Sequence, residues 1–338
     1  MKDLGITIKD VAEAAGVSKT TVSFYLNGKF EYMSIETKEK IKKIIKELNY
    51  KPSSTAQGLK SKKSKLIGMI VSDITNPFTS LLVKGVNDKC IEEGYQLIVV
   101  NTNNITDKQE EYINSLIQRQ VDGLIINSLG DNIDMLEKIK EKGMKVVLAD
   151  KSLEKNIFDS VTTNNEEMTI KAINMLFEEG FQEIAFFTQQ IKANTAKLNR
   201  FNGFKKVIQN HNKKPENYLY QFTDQEDMDK KVSEFYASNK DKKKVVFAAN
   251  GITMLQFVQS TLKLKLSIPE DIALCGFDDL GWNSIVGKGI TTISQPAYEV
   301  GNKSAEILID RITERLITKE TINLILKAQL IKRGSTDI

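Results

Sequence analysis

Residues 18–27 read SKTTVSFYLN, and their side chains are of the kind that reads a polyanion carrying a base sequence. Lys19 can reach phosphate or a guanine edge. Thr20, Thr21, Ser23 and Asn27 can hydrogen-bond to either, and Phe24 can touch a thymine methyl. All lie off the apolar stripe of Val22, Tyr25 and Leu26, so they share an outward face. A plain solvated helix face would look the same, and the segment gains meaning only from its surroundings. A second chemical set lies at the ends of apolar runs: Asp73 after LIGMIVS, Asn127 after GLII, Asp150 after KVVLA, Asn250 after VVFAA and Asp278 after IALCGF. Each alone reads as a loop cap. Five short polar groups at five strand ends suggest one pocket rich in hydroxyl partners, because ligands of parallel α/β sheets sit beyond the carboxyl ends of the strands.

The stretch KPSSTAQGLKSKKSK at 51–65 joins the two sets. It is polar and basic, with Leu59 as its one large apolar side chain. It could form about two helical turns after Pro52, but a helix under about 12 residues is marginal in water without a partner. Two copies in a dimer could fold together in a DNA minor groove, with Leu59 as a wedge between base steps. Packing of Leu59 on a neighbouring domain is the other reading of the residues.

The elements that position these groups follow from periodicity. Ile8, Val11, Ala12 and Ala15 form one helical stripe, with Thr7 as N-cap and Gly16 as terminator. Ser18 starts a second helix that Asn27-Gly28 stops, and Ser34 starts a third with Ile41, Ile44, Ile45 and Leu48 on one side. The tight turn at Gly16-Val17 gives the first pair helix-turn-helix spacing. Beyond Lys65, short apolar runs alternate with amphipathic helical stretches, the pattern of parallel sheet covered on both faces. About 270 such residues point to two doubly wound lobes.

Charge follows the same division. Residues 1–65 hold 14 lysines, no arginine and 7 acids, while the remainder holds 34 bases and 37 acids. A basic front on a near-neutral body implies a polyanion partner for the front alone. Of the 338 residues only one, His211, is histidine, and it lies in a polar run. Histidine-based zinc sites and Ser-His-Asp triads have little to build on. Cys90 and Cys275 form no metal or redox spacing and read as reduced thiols. GWNSIVGKG misses the phosphate-loop spacing. No metal or cofactor is expected, and no enzyme. With no signal peptide and no membrane-spanning run, a cytoplasmic protein without membrane partners is expected, which also disfavours a secreted sugar-binding receptor.

TIKDVAEAAGVSKTTVSFYLNG, the ETKEKI…LNYKPSSTAQGLKSKKSKLIGMIVSDITNPF continuation, and VDGLIIN, GFDD and GITTISQP resemble the LacI/GalR family of bacterial repressors along essentially the whole chain. The resemblance implies an all-α helix-turn-helix DNA-binding domain at 1–50, a hinge at 51–65, and a two-lobed periplasmic-binding-protein-like core at 66–338. The first lobe is expected at about 66–162 and 294–323, the second at about 163–293 and 324–338. It further implies a homodimer on palindromic operator DNA, with Thr7, Ser18, Ser54, Gln57, Leu59 and Lys60 joining the DNA face and Leu59 as the intercalating wedge. In the cleft it adds Phe78, Arg200, Trp282 and Gln295 to the strand-end groups. Departures are visible. Gln57 stands where many members have a phosphate-binding arginine, and Phe24 where many have a base-reading one, which leaves Lys60, Lys62 and Lys63 to hold the hinge to DNA. Gly251 stands where many sugar-sensing members have aspartate. With GWNSIVGKGITTISQP, this resembles the ketodeoxygluconate-repressor-like branch and suits an acidic ligand held by Arg200. The expected function is repression of a carbohydrate-utilisation operon under control of a sugar or sugar-acid effector. Control of the same fold by a protein partner is the alternative.

Overall fold

The computed structural model describes residues 6–50, 63–103, 105, 109–127, 133–153, 157–191, 195–239 and 241–337. Ser54, Gln57, Leu59 and Lys60 therefore lie outside the described residues. The chain divides into two compact units between Lys65 and Leu66.

In the first unit, α1 (Ile8–Ala15), α2 (Lys19–Leu26) and α3 (Ile35–Glu47) enclose Val11, Ala12, Ala15, Val22 and Ile41. Tyr25, Leu26, Ile44, Ile45 and Leu48 pack around them, as the 3.6-residue period predicts. The three caps are all in place. The Thr7 backbone N–H and hydroxyl both reach Asp10 Oδ2 at 2.7 Å. Ser18 Oγ accepts from Thr21 N at 3.0 Å, and Ser34 Oγ from Thr37 N at 3.1 Å. Gly16 ends α1 at φ +62°, the left-handed backbone that lets α2 start three residues later.

The second unit contains two six-stranded sheets. The first has the order β11-β5-β4-β3-β1-β2, where β1 is Leu66–Val71, β2 Gln96–Asn101, β3 Gly123–Ile126, β4 Lys145–Ala149, β5 Asp159–Thr163 and β11 Asn323–Leu326. The second has the order β12-β10-β9-β8-β6-β7, where β6 is Glu183–Thr188, β7 Leu219–Gln221, β8 Lys244–Ala248, β9 Ala273–Phe277, β10 Thr291–Ser294 and β12 Gln329–Ile331. All described pairings are parallel except β10 with β12. Both faces of each sheet are buried. Met69, Ile125 and Val147 point into one core, Ile70, Leu124 and Leu148 into another. Phe186, Phe247 and Cys275 likewise face away from Phe187, Val246 and Leu274. This two-sided burial explains why the strands read as unbroken apolar runs.

The chain crosses between lobes three times. It leaves the first sheet after Thr163, when α7 (Asn165–Glu178) packs into the second lobe, and returns after Ser294 through α11 (Ala297–Ile312). It crosses again between Leu326 and Gln329. The expected break at 323/324 is corrected: Asn323–Leu326 pairs in register with Ser160–Thr163 and belongs to the first lobe. Alternating exposure had hidden this edge strand, whose partner is far away in sequence.

Helix α4 (Pro77–Glu92), capped by Asn76 Oδ1 on Phe78 N, crosses α11 at a pair of glycines. A Cβ on Gly85 would lie 2.0 Å from Tyr298 O, and one on Gly301 2.0 Å from Leu82 O. Backbone meets backbone at this crossing, so no side chain fits.

Candidate functional site

The outward face of α2 carries the groups expected on it. Lys19, Thr20 and Asn27 are exposed, and Thr21 and Ser23 are half-buried. Part of this set is committed to the fold: Ser18 and Thr21 bond each other at the cap, and Asn27 Nδ2 donates to Ser23 O at 2.6 Å. Phe24 is less available than its position suggested. Its ring lies 4.9 Å from that of Tyr32, so a base contact here would come from the edge of an aromatic pair. Phe30 and Tyr32 are exposed, with the Lys38 ammonium 4.0 Å from the Phe30 ring. The sequence reading missed these two rings.

In the second unit, the sheet orders make the strand-end residues correspond. Asp150 follows β4 and Asp278 follows β9, each the third strand in its sheet. Asn127 and Asn250 follow β3 and β8, each the fourth. Both aspartates have left-handed backbone, φ +59° and +79°. A non-glycine residue persists there only where its surroundings impose it, and such residues cluster at functional sites.

These groups differ in how they are held. Asp278 Oδ2 accepts from Gly251 N at 2.8 Å, and its Oδ1 from Gln295 Nε2 at 2.6 Å. Gln295 Oε1 accepts in turn from Thr163 Oγ1 at 2.7 Å. This chain ties the second lobe's carboxylate to two of the three crossings. Arg200 is buried on α8 (Thr195–Asn210). Its Nε donates to Asn165 Oδ1 and its Nη1 to Ala249 O, both at 2.7 Å, and its guanidinium stacks 3.9 Å from the Phe277 ring centre. Asp150 is 7% exposed, and its Oδ1 has no hydrogen-bond partner among the described residues. Lys151 Nζ lies 3.9 Å from its Oδ2.

Asn127 Nδ2 donates to Ala149 O, bridging the ends of β3 and β4. Asn250 Oδ1 caps α10 (Gly251–Leu264) through Thr253 N. Asp73 is half-buried and accepts from the backbone N–H and hydroxyl of Thr75, with no described bond to the other cleft groups. Phe78 belongs to the first lobe's core. Trp282 is half-buried against the second lobe's core cluster, which uses part of the ring that stacking on a sugar would need.

Burial shapes the electrostatics. It raises the Asp150 carboxyl above its ordinary value, against the opposing pull of Lys151 and Arg200. It lowers Lys151, with Arg200 adding repulsion, and lowers Arg200 despite attraction from Asp278 and Asp150. Lys197, three residues before Arg200, is pushed down to about 7 by burial and then by the charges of Lys151 and Arg200. Ser152 N donates to Thr195 Oγ1 at 3.3 Å, so the loop carrying Lys151 meets the start of the helix carrying Lys197 and Arg200.

Residues 7–53 match the family described as bacterial regulatory proteins, lacI family, and residues 64–333 match the periplasmic binding proteins and sugar binding domain of LacI family. The chain belongs to the LacI family. It is a DNA-binding transcriptional regulator and not an enzyme. The HTH-type transcriptional regulator KdgR of Bacillus subtilis (strain 168) is 39% identical over 97% of both chains. The HTH-type transcriptional repressor PurR of Vibrio vulnificus is 34% identical over 91% of this chain and 92% of that one. The lac repressor dimer bound to operator and the anti-inducer ONPF superposes with a TM-score of 0.85 over 98% and 99% of the two chains, at 25% identity.

Within this family frame, Lys151, Lys197 and Asn165, which sequence reading missed, lie among the contacts of Asp150 and Arg200. Lysines resemble solvated charges in a sequence. The available signal was the i, i+3 spacing of Lys197 and Arg200, which places both on one helix face. Gly251, read as a missing carboxylate, has a steric reason. A Cβ there would lie 2.5 Å from Leu280 Cδ1 and 3.2 Å from Asp278 Cβ. Gly251→Ala is expected to lower stability by about 1–3 kcal/mol through overpacking. Urea unfolding of the full chain measures this; a loss under about 0.5 kcal/mol, within the range of neutral surface changes, would mean that Leu280 swings aside freely.

Proposed function

We propose that this regulator is a homodimeric repressor of a carbohydrate-utilisation operon. It holds palindromic operator DNA through the α2 face of its first unit and is controlled by a sugar acid bound between the lobes of its second. The observation that carries the effector class is the charge of the cleft. Asp150 acts on Lys151 and Arg200, Asp278 acts on Arg200, and Lys197 feels the positive charges of Lys151 and Arg200; among these five groups one positive charge is left when all are ionised. A monocarboxylate neutralises that charge, and a neutral sugar does not. The surrounding amides and aspartates suit hydroxyl groups. A transcriptional regulator solved with cellobiose, CelR, shares the fold at a TM-score of 0.71 and 25% identity. The lac repressor complex supports the dimer on operator.

An effector that binds the closed lobes alters how the two first lobes pair, and through them the hinges on DNA. Effector and operator are then linked by one coupling free energy, typically about 1–3 kcal/mol. The test is a thermal-shift and calorimetric screen of the full chain with 2-keto-3-deoxygluconate, gluconate and galacturonate against glucose and galactose. At about 100 times its Kd, a binding acid stabilises by about 2.7 kcal/mol. Equal response to acids and neutral sugars, or none to the acids, would overturn the sugar-acid reading.

A further inference from the structure

Lys197 differs from Arg200 in what its position leaves it to do. Arg200 spends two donors on Asn165 and Ala249 and one ring face on Phe277, so its plane is fixed against the second lobe's wall. Lys197 sits one turn earlier on the same helix face, half-buried, with its ammonium 2.8 Å from Gln189 Oε1. Gln189 is held through its amide nitrogen by Gln256 Oε1 at 3.2 Å. Gln189 follows β6 as Asp73 follows the corresponding β1, so Lys197 reaches in from the helix toward the strand ends. Across from it lies the loop of Asp150 and Lys151, with one buried Asp150 oxygen unpartnered among the described residues.

We propose that Lys197 is the specificity residue for the charged end of the effector: its ammonium takes the carboxylate, while Arg200 holds the wall and Asp150 accepts from a ligand hydroxyl. This assignment rests on the sugar-acid reading and adds to it which residue discriminates acid from neutral sugar. It also gives the response a pH dependence. Lys151 at the end of β4 and Arg200 on its own helix act on Lys197 directly, while Asp150 acts on Lys151 and Arg200, and Asp278 on Arg200. The cations dominate, and the ammonium of the effector-free protein loses its proton near pH 7. A bound carboxylate favours the protonated form, so binding takes up a proton above that pH. Affinity is flat below about pH 7 and falls by up to about tenfold per pH unit above it. Arginine at this position would stay charged throughout.

Calorimetry of the full chain with 2-keto-3-deoxygluconate and gluconate, at about pH 6 and about pH 8.5 in buffers of different ionisation heat, tests this. Proton uptake and weaker binding are expected at the higher pH. Lys197→Met is expected to lose about 10- to 100-fold in acid affinity, together with the proton uptake. Lys197→Arg is expected to keep acid binding and lose the pH dependence. Acid binding by the unsubstituted chain that is strong and independent of pH would overturn the assignment while leaving the sugar-acid reading intact. So would a loss in Lys197→Met no larger for the acids than for any neutral sugar that binds. Failure of every acid, with glucose or galactose binding in their place, would overturn both.

Discussion

Operator affinity is expected to fall by about 10³- to 10⁵-fold between about 50 and 200 mM salt. The DNA-facing part of the chain carries its positive charge on lysines alone, 14 of them in residues 1–65, and the proposed dimer doubles the number. Not all are available. Lys9, Lys42 and Lys43 face Glu13, Glu39 and Glu47 on their own helices at 3.5–3.7 Å. Such exposed pairs are weak and yield to phosphate, but they reduce the net gain. If about 6–10 phosphates are neutralised, the log–log slope is roughly −5 to −9. Lys19, exposed at the start of α2, should account for about one unit of that slope per copy on each half-site. Fluorescence anisotropy over a salt series with Lys19→Ala beside the unsubstituted chain measures both. A slope near zero would exclude phosphate as the main partner of this unit.

The second large effect concerns the first lobe. Gly301→Val is expected to destabilise the protein by more than about 4 kcal/mol, at the far end of what single substitutions do. The new Cβ would meet Leu82 O at 2.0 Å, Leu82 C at 2.9 Å and Val86 N at 3.1 Å. All are backbone atoms of α4, so no rotamer can yield, and the helices must separate. Separation opens the contact of Leu82 and Val86 with Val300 and Leu308, the apolar face of this lobe. Denaturant unfolding, or loss of soluble protein, reads the result. A loss below about 1 kcal/mol, the centre of the distribution for point mutants, would show that the crossing is loosely packed.

Much of this architecture was legible because local rules and tertiary structure agree. Thr7, Ser18 and Ser34 cap where the apolar stripes begin, and the five apolar runs that precede Asp73, Asn127, Asp150, Asn250 and Asp278 are all strands. What was hidden depended on distant partners. The edge strand at 323–326 has weak alternation and is fixed only by pairing with β5. The need for glycine at 85 and 301 exists only where the two helices meet. The strand-end rule rightly placed Asp150, Asp278 and Asn127 just beyond β4, β9 and β3. It said nothing of Lys151 and Lys197, whose burial is a property of the folded cleft and not of their neighbours in sequence. Trp282 and Phe78 were named as ligand contacts, and the fold also uses both as packing residues.

The three crossings also set the order in which a nascent chain can be completed. The first unit is finished within the first 65 residues and can fold while the rest is still being made. Neither lobe has that freedom. β11 and β12 close one edge of each sheet, and both follow every other strand in the sequence, beyond residue 322. Until they emerge from the ribosome, β5 and β10 present unpaired edges, the surfaces most prone to wrong association. A premature stop near residue 320 would thus damage both lobes at once and spare the DNA-binding module. Such a fragment would keep the DNA-binding module without the core through which the proposed effector acts.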